Sequence, residues 1–156
     1  MDIIQEEKKT LVNDSDDKEY YAKNELEKIK IKMIENPTRY MQVWAKLFKR
    51  DIVCKNKIFF NPQLRLSEDS DFTLRYLEYC NSICLSNISV YHYSLGGEST
   101  MRKFDGNKVN DYENAMRITG KYISTQNEML QKAYDKYILM HLNIAFVREV
   151  FFIQNK

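Results

Sequence analysis

Cysteine is scarce and carries no pairing pattern: Cys54, Cys80 and Cys84 are an odd number and form no CxxC pair. Neither a disulfide framework nor a zinc site is indicated, and a reducing, cytoplasmic compartment is the expected home. Only two histidines occur, His92 and His141. With no second His or Cys one helical turn away, His141 reads as a satisfied core or boundary imidazole rather than a metal ligand. The four glycines include no GxxxxGK or GxGxxG spacing, so the common phosphate-cradling loops are excluded. Long apolar runs are also missing. Nowhere do eighteen apolar residues follow one another, and MDIIQEEKKT has no apolar stretch after a basic start; a membrane span and a secretory leader are both unexpected.

What is present is a globular balance. The 156 residues are 44% hydrophobic, 13% aromatic and 29% charged, enough for one domain that buries its own core. Eleven tyrosines suit helix packing and sugar-binding surfaces alike. Net charge is +2, but it is unevenly spread: residues 1–38 hold seven Lys/Arg against ten Asp/Glu, whereas residues 39–66 hold seven against one. That strip (Arg39, Lys46, Lys49, Arg50, Lys55, Lys57 and Arg65) projects a positive field that attracts phosphate esters or an anionic membrane surface when it is more than a solvated face. It lacks a helix-turn-helix pattern, zinc ligands or an aromatic RNA-binding motif, so nucleic acid is not the expected partner.

Along the chain, Asp16 to Asn36 reads as an amphipathic helix. Asp16 and Glu19 stand at capping-box spacing, Ala22, Leu26, Ile29 and Met33 form a stripe, and Pro37 ends it. Asn13 to Asp17 contains an Asp-x-Asp pair, yet no buried strand precedes it, so it reads as a capping turn and no metal ligands are assigned. Met41 to Phe48 is apolar enough to bury, with Trp44, Leu47 and Phe48 in the core, as strand or helix. Asp51 to Lys57 is a short helical or turn-like stretch, and Ile58-Phe59-Phe60 a brief strand stopped by Asn61-Pro62. Ser67, followed by Glu68, Asp69 and Asp71, opens a helix to about Asn81, because a helix N-terminus favours negative charge. Ile83 to Tyr93 suggests a hairpin bending at Ser86-Asn87, and Gly96 to Lys103 a polar loop. Val109, Tyr112, Met116, Thr119 and Ile123 then mark a second amphipathic helix. A third opens at a Thr125–Glu128 capping box and carries a seam of Leu130, Ala133, Tyr137, Met140, Ile144, Val147 and Phe151. These two helices should pack together, and Phe151, Phe152 and Ile153 need cover from the body, another copy, a partner chain or a bilayer surface.

The run VWAKLFKR (Val43 to Arg50), then Ile58 and Phe60, then Glu68, Asp69 and Phe72, then Tyr91, Tyr93 and Ser99, resembles in order and spacing the C-terminal half of family 2 glycosyltransferases of the bacterial capsule, exopolysaccharide and lipopolysaccharide type. Ser67 stands where that family often has Gly. The resemblance implies an α+β, mostly helical portion of a GT-A fold, with a small sheet or hairpin and a C-terminal pair of long helices. It divides the chain into an N-terminal amphipathic helix region (1–38), an acceptor-side core (39–105) and a C-terminal helical hairpin (106–156). By the same resemblance Asp69 is the general base that deprotonates the acceptor hydroxyl and Glu68 orients acceptor or base. Trp44, Lys46, Arg65, Tyr91, His92, Tyr93, Ser99, Arg102 and Lys103 are the candidates for substrate binding. The family's nucleotide-binding βαβ half is expected to be lacking, since residues 1–42 read as helix. The chain is then an acceptor-side fragment, inactive alone. Completed, it would use a nucleotide-sugar donor, a glycan or lipid-linked acceptor and Mg or Mn, at the inner face of the membrane. Two alternatives stand beside this: a non-catalytic helical module that docks on a membrane or partner protein, and a phosphate-ester-binding protein whose ligand lies between Arg65 and Lys103.

Overall fold

The computed structural model describes residues 18–86, 88, 90, 91, 108–123 and 126–147. It is a mixed α+β structure, mostly helical, in the order β1 (Lys18–Ala22), α1 (Leu26–Glu35), α2 (Pro37–Tyr40), α3 (Arg50–Lys55), α4 (Glu68–Leu77), β2 (Ser82–Ser86), α5 (Lys108–Gly120) and α6 (Glu128–Phe146). Among the described residues no helix is long and apolar enough to cross a membrane.

The first departure from the sequence pattern is at the start. Residues 18–22 are a strand, paired antiparallel with β2 from Lys18 opposite Ser86 to Ala22 opposite Ser82. Glu19 therefore caps no helix; its carboxylate receives hydrogen bonds from the Tyr21 hydroxyl at 2.6 Å and Lys32 Nζ at 3.1 Å. Adjacent tyrosines favour a pleated, half-buried surface, and the pairing places Tyr21, Ile83 and Leu85 against the helical core. β2 thus pairs with β1; of the second arm of the hairpin expected over 83–93 only residues 88, 90 and 91 are described, and none of these is strand. Helix geometry begins with a single 3-10 turn, where Glu25 Oε2 accepts from the Ala22 N–H at 3.3 Å, and α1 proper starts at Leu26.

α4 contributes to both apolar clusters of the described residues. Seven of its ten residues are buried, so it has two packed faces instead of one. Leu74 and Leu77 meet Ile29, Met33 and Ile34 of α1, Met41, and Leu130, Ala133 and Tyr137 of α6. Phe72 and Tyr76 meet Ile58 and Cys80 on the other side, with Val43, Phe48, Ile52 and Val53 half-buried around them. Its buried Asp71 is matched by Arg75 at 2.7 Å and by the Tyr122 hydroxyl at 3.2 Å. Burial and that carboxylate push the Tyr122 phenol up to about 12.

The segment between α2 and α4 has only α3 as regular structure. Leu47, expected in the core, is fully exposed, and residues 58–60 form no strand. The reason for the latter is local. α3 closes with Lys57 at φ 50°, the Lys57 N–H on the Cys54 carbonyl and the Ile58 N–H on the Val53 carbonyl, a Schellman arrangement that turns the chain away after Lys57.

α5 and α6 pack together as expected, with small shifts of face. Val109 is exposed, and Tyr112, Ala115, Ile118 and Thr119 point inward. On α6 the buried stripe is Leu130, Ala133, Tyr137 and His141, while Val147 is exposed and Met140 and Ile144 are half-buried. Asn127, not Thr125, caps α6: its side chain accepts from the Leu130 N–H at 2.9 Å, and Thr125 lies outside the described residues.

Candidate active site

Buried Leu64 and Leu66 flank exposed Arg65 and deliver the chain to Ser67, which sits in the left-handed region at φ 58°, ψ 22°. A non-glycine residue held there carries strain of order 1 kcal/mol and needs support from its surroundings. The support comes from α6, where His141 Nε2 lies 3.2 Å from the Ser67 hydroxyl. His141 Nδ1 is 2.9 Å from the Tyr137 carbonyl. A carbonyl only accepts, so Nδ1 carries the proton and Nε2 accepts from Ser67. Burial holds the His141 pKa below its usual value, which fits this neutral form.

With Ser67 so placed, Glu68 and Asp69 occupy the first turn of α4. Asp69 Oδ2 accepts the Val43 N–H at 3.2 Å, tying the helix N-terminus to the residue beside Trp44. Lys46 is half-buried on the same segment, its ammonium donating to the Gln42 carbonyl. Burial pushes the Lys46 ammonium down to about 8, offset in part by the Asp69 charge. Glu68 moves the other way: burial first, and the neighbouring Asp69 charge, raise its pKa. Trp44 stacks on Tyr91 with ring centroids 4.9 Å apart and planes 27° from parallel.

Five candidates from separate stretches, Trp44, Lys46, Glu68, Asp69 and Tyr91, thus gather at one end of α4. Arg65 turns away from them, to Asp111 on α5 at 3.5 Å. His92, Tyr93, Ser99, Arg102 and Lys103 lie outside the described residues, as do Asn13 to Asp17. Two contributors carry no sequence signature: the Val43 backbone amide, which no side-chain pattern marks, and His141, whose link to Ser67 joins residues 74 apart in the chain. The set can hold an anionic carboxylate in a fixed direction next to a cation and a stacked aromatic wall. Among the described residues no three His, Cys, Asp or Glu side chains converge. No protein-family model, characterised protein or solved structure matches this chain.

Proposed function

We propose that these residues form the acceptor side of a family 2-like glycosyltransferase that acts with a nucleotide-binding half. The observation that carries the reading is the Asp69 to Val43 hydrogen bond. It joins the two most specific pieces of the resemblance, VWAKLFKR and the Glu-Asp pair, beside a stacked Trp44–Tyr91 pair of the kind that receives sugar rings.

In this reading Asp69 takes the proton of an acceptor hydroxyl as the hydroxyl oxygen attacks the anomeric carbon and the nucleoside diphosphate leaves. Val43 fixes one carboxylate oxygen, and the α4 N-terminus favours the negative charge. Glu68, whose raised pKa suits a group that shares or donates a proton, orients the acceptor. Lys46 balances the Asp69 charge. Mg or Mn, where the reaction needs it, is assigned to the complete enzyme with its nucleotide half, as the resemblance implies.

The test is Asp69→Asn in the enzyme assembled with its nucleotide half. Loss of a positioned general base should lower transfer by roughly 10²- to 10⁴-fold while nucleotide affinity is retained. Undiminished turnover removes Asp69 from the mechanism.

A further inference from the structure

The flank of α4 opposite α1 and α6 carries apolar side chains that project into solvent among cations. Phe48 meets the Phe72 ring edge-on at 5.2 Å, and Phe60 stacks on the same ring at 4.8 Å. The loops before and after α3 are therefore pinned to one side of α4. Leu47 stands next to Phe48 and Phe59 next to Phe60, and three of these side chains are exposed: Leu47 by 101%, Phe59 by 65% and Phe60 by 49%. Around them Lys49, Arg50, Lys55 and Lys57 are all exposed, with Asp51 the one carboxylate between residues 46 and 57.

From this arrangement we infer that the surface made by Leu47, Phe59, Phe60, Lys49, Arg50 and Lys57 docks on an anionic phospholipid bilayer. Two features select a bilayer over a protein groove. Leu47 lies before α3 and Phe59 and Phe60 after it, with Lys49, Arg50 and Lys57 between them in sequence, so the apolar side chains do not belong to one helical seam that a partner helix would need. Instead each can enter the acyl boundary while its basic neighbours remain at headgroup depth. Charge along residues 47–57 is also one-sided: four exposed cations against one exposed carboxylate, Asp51, which has Lys55 at 3.9 Å. That is the complement of a leaflet rich in anionic headgroups. The inference stands without the sugar-transfer reading, since it uses neither Asp69 nor Glu68.

The experiment is co-sedimentation of the full chain with vesicles of phosphatidylcholine alone and of phosphatidylcholine mixed with phosphatidylglycerol. Binding to the mixed vesicles only, weakening as salt rises, is expected. In Lys49→Glu/Arg50→Glu the partition coefficient should fall at least tenfold, since each surface cation near the bilayer is worth roughly fivefold. Leu47→Glu should weaken binding even at low salt. All three positions are solvent-exposed, so unchanged melting temperatures are expected and serve as the folding control. Equal binding to both vesicle types, no binding to either, or binding that all the variants retain would each overturn the inference. A protein that protects Leu47 from solvent in vesicle-free solution would overturn it as well.

Discussion

The two faces of α4 are built differently. Towards α1 and α6 the core is continuous and comes almost wholly from regular helices, with Ile29, Ile34, Leu74, Leu130, Ala133 and Tyr137 sealed from solvent. Towards the segment 41–66 the cover is partial, and Val43, Phe48, Ile52 and Val53 remain half-buried. All three described non-glycine residues with positive φ, Ala45, Lys57 and Ser67, fall on or beside that segment. A helical frame thus supports an irregular strip, and the candidate site lies where the strip meets the start of α4. This is the usual division between stability and function, because only irregular backbone can aim groups in arbitrary directions.

The sharpest way to break the comparison is to cut equally into both faces. Leu74→Ala should cost about 3–4 kcal/mol, since a fully buried leucine leaves a cavity that helices on three sides cannot fill. Ile52→Ala, half-buried over the other face, should cost about 1 kcal/mol. Urea denaturation midpoints compare them directly; equal losses would mean that the two faces are one core.

A second contrast separates two carboxylates of the same helical turn. Asp71 is buried and holds Arg75 and Tyr122, whereas Asp69 holds a loop amide at the site. Asp71→Ala leaves Arg75 without its ion-pair partner and should cost roughly 3 kcal/mol. Asp69→Ala should cost under about 1.5 kcal/mol. The thermal midpoints of the two variants should therefore separate widely.

These pairs also show what a sequence can carry. The helices of the frame are legible because Ile29 and Met33, or Leu130, Ala133 and Tyr137, repeat at helical spacing, and Pro37 and the acidic run at Glu68 punctuate them. The sheet is not, because β1 forms only when β2 arrives from the far side of α4, and Lys18–Ala22 borders a helical stripe that local periodicity extends too far. In the site, Glu68 and Asp69 announce themselves as the start of a helix. The Val43 amide and the left-handed Ser67 do not, since an amide has no signature and Ser, unlike Gly, does not signal positive φ. The Gly that the resemblance places at this position is the one hint, and the backbone geometry at Ser67 supplies the physical reason for a Gly there.

Lys46 tests how much the strip gives up in stability for its charges. Its pKa of about 8 lies below the usual 10.5, so the folded state resists the charged form. The burial cost is then complete below pH 8 and fades as pH rises towards 10.5, where both folded and unfolded chains are neutral at this group. Lys46→Met should stabilise by about 1 kcal/mol near pH 7, a figure discounted for the partial exposure of the side chain. The gain should shrink through that alkaline window, as melts taken across pH would record. A gain independent of pH would mean that packing, not charge, sets the effect.

The smallest effects come from the Ser67–His141 contact, where frame and strip touch. Ser67→Ala keeps the strained φ and loses the hydrogen bond, so it should cost about 1 kcal/mol. Ser67→Gly loses the same bond but relieves the left-handed strain, and the two changes should nearly cancel. The Gly variant is therefore expected to be more stable than the Ala variant by about 1 kcal/mol. On the other side of the contact, burial in the folded state holds the His141 pKa below its ordinary value of 6.5. Between that lowered pKa and 6.5 the unfolded chain binds the extra proton, so the stability tied to neutral His141 is complete above pH 6.5 and is lost as pH falls through the folded value. His141→Gln keeps a side-chain partner for Ser67 and should flatten this acid limb. If the limb persists in the Gln variant, the imidazole is not its source, and the tie between α6 and the start of α4 carries no pH dependence of its own.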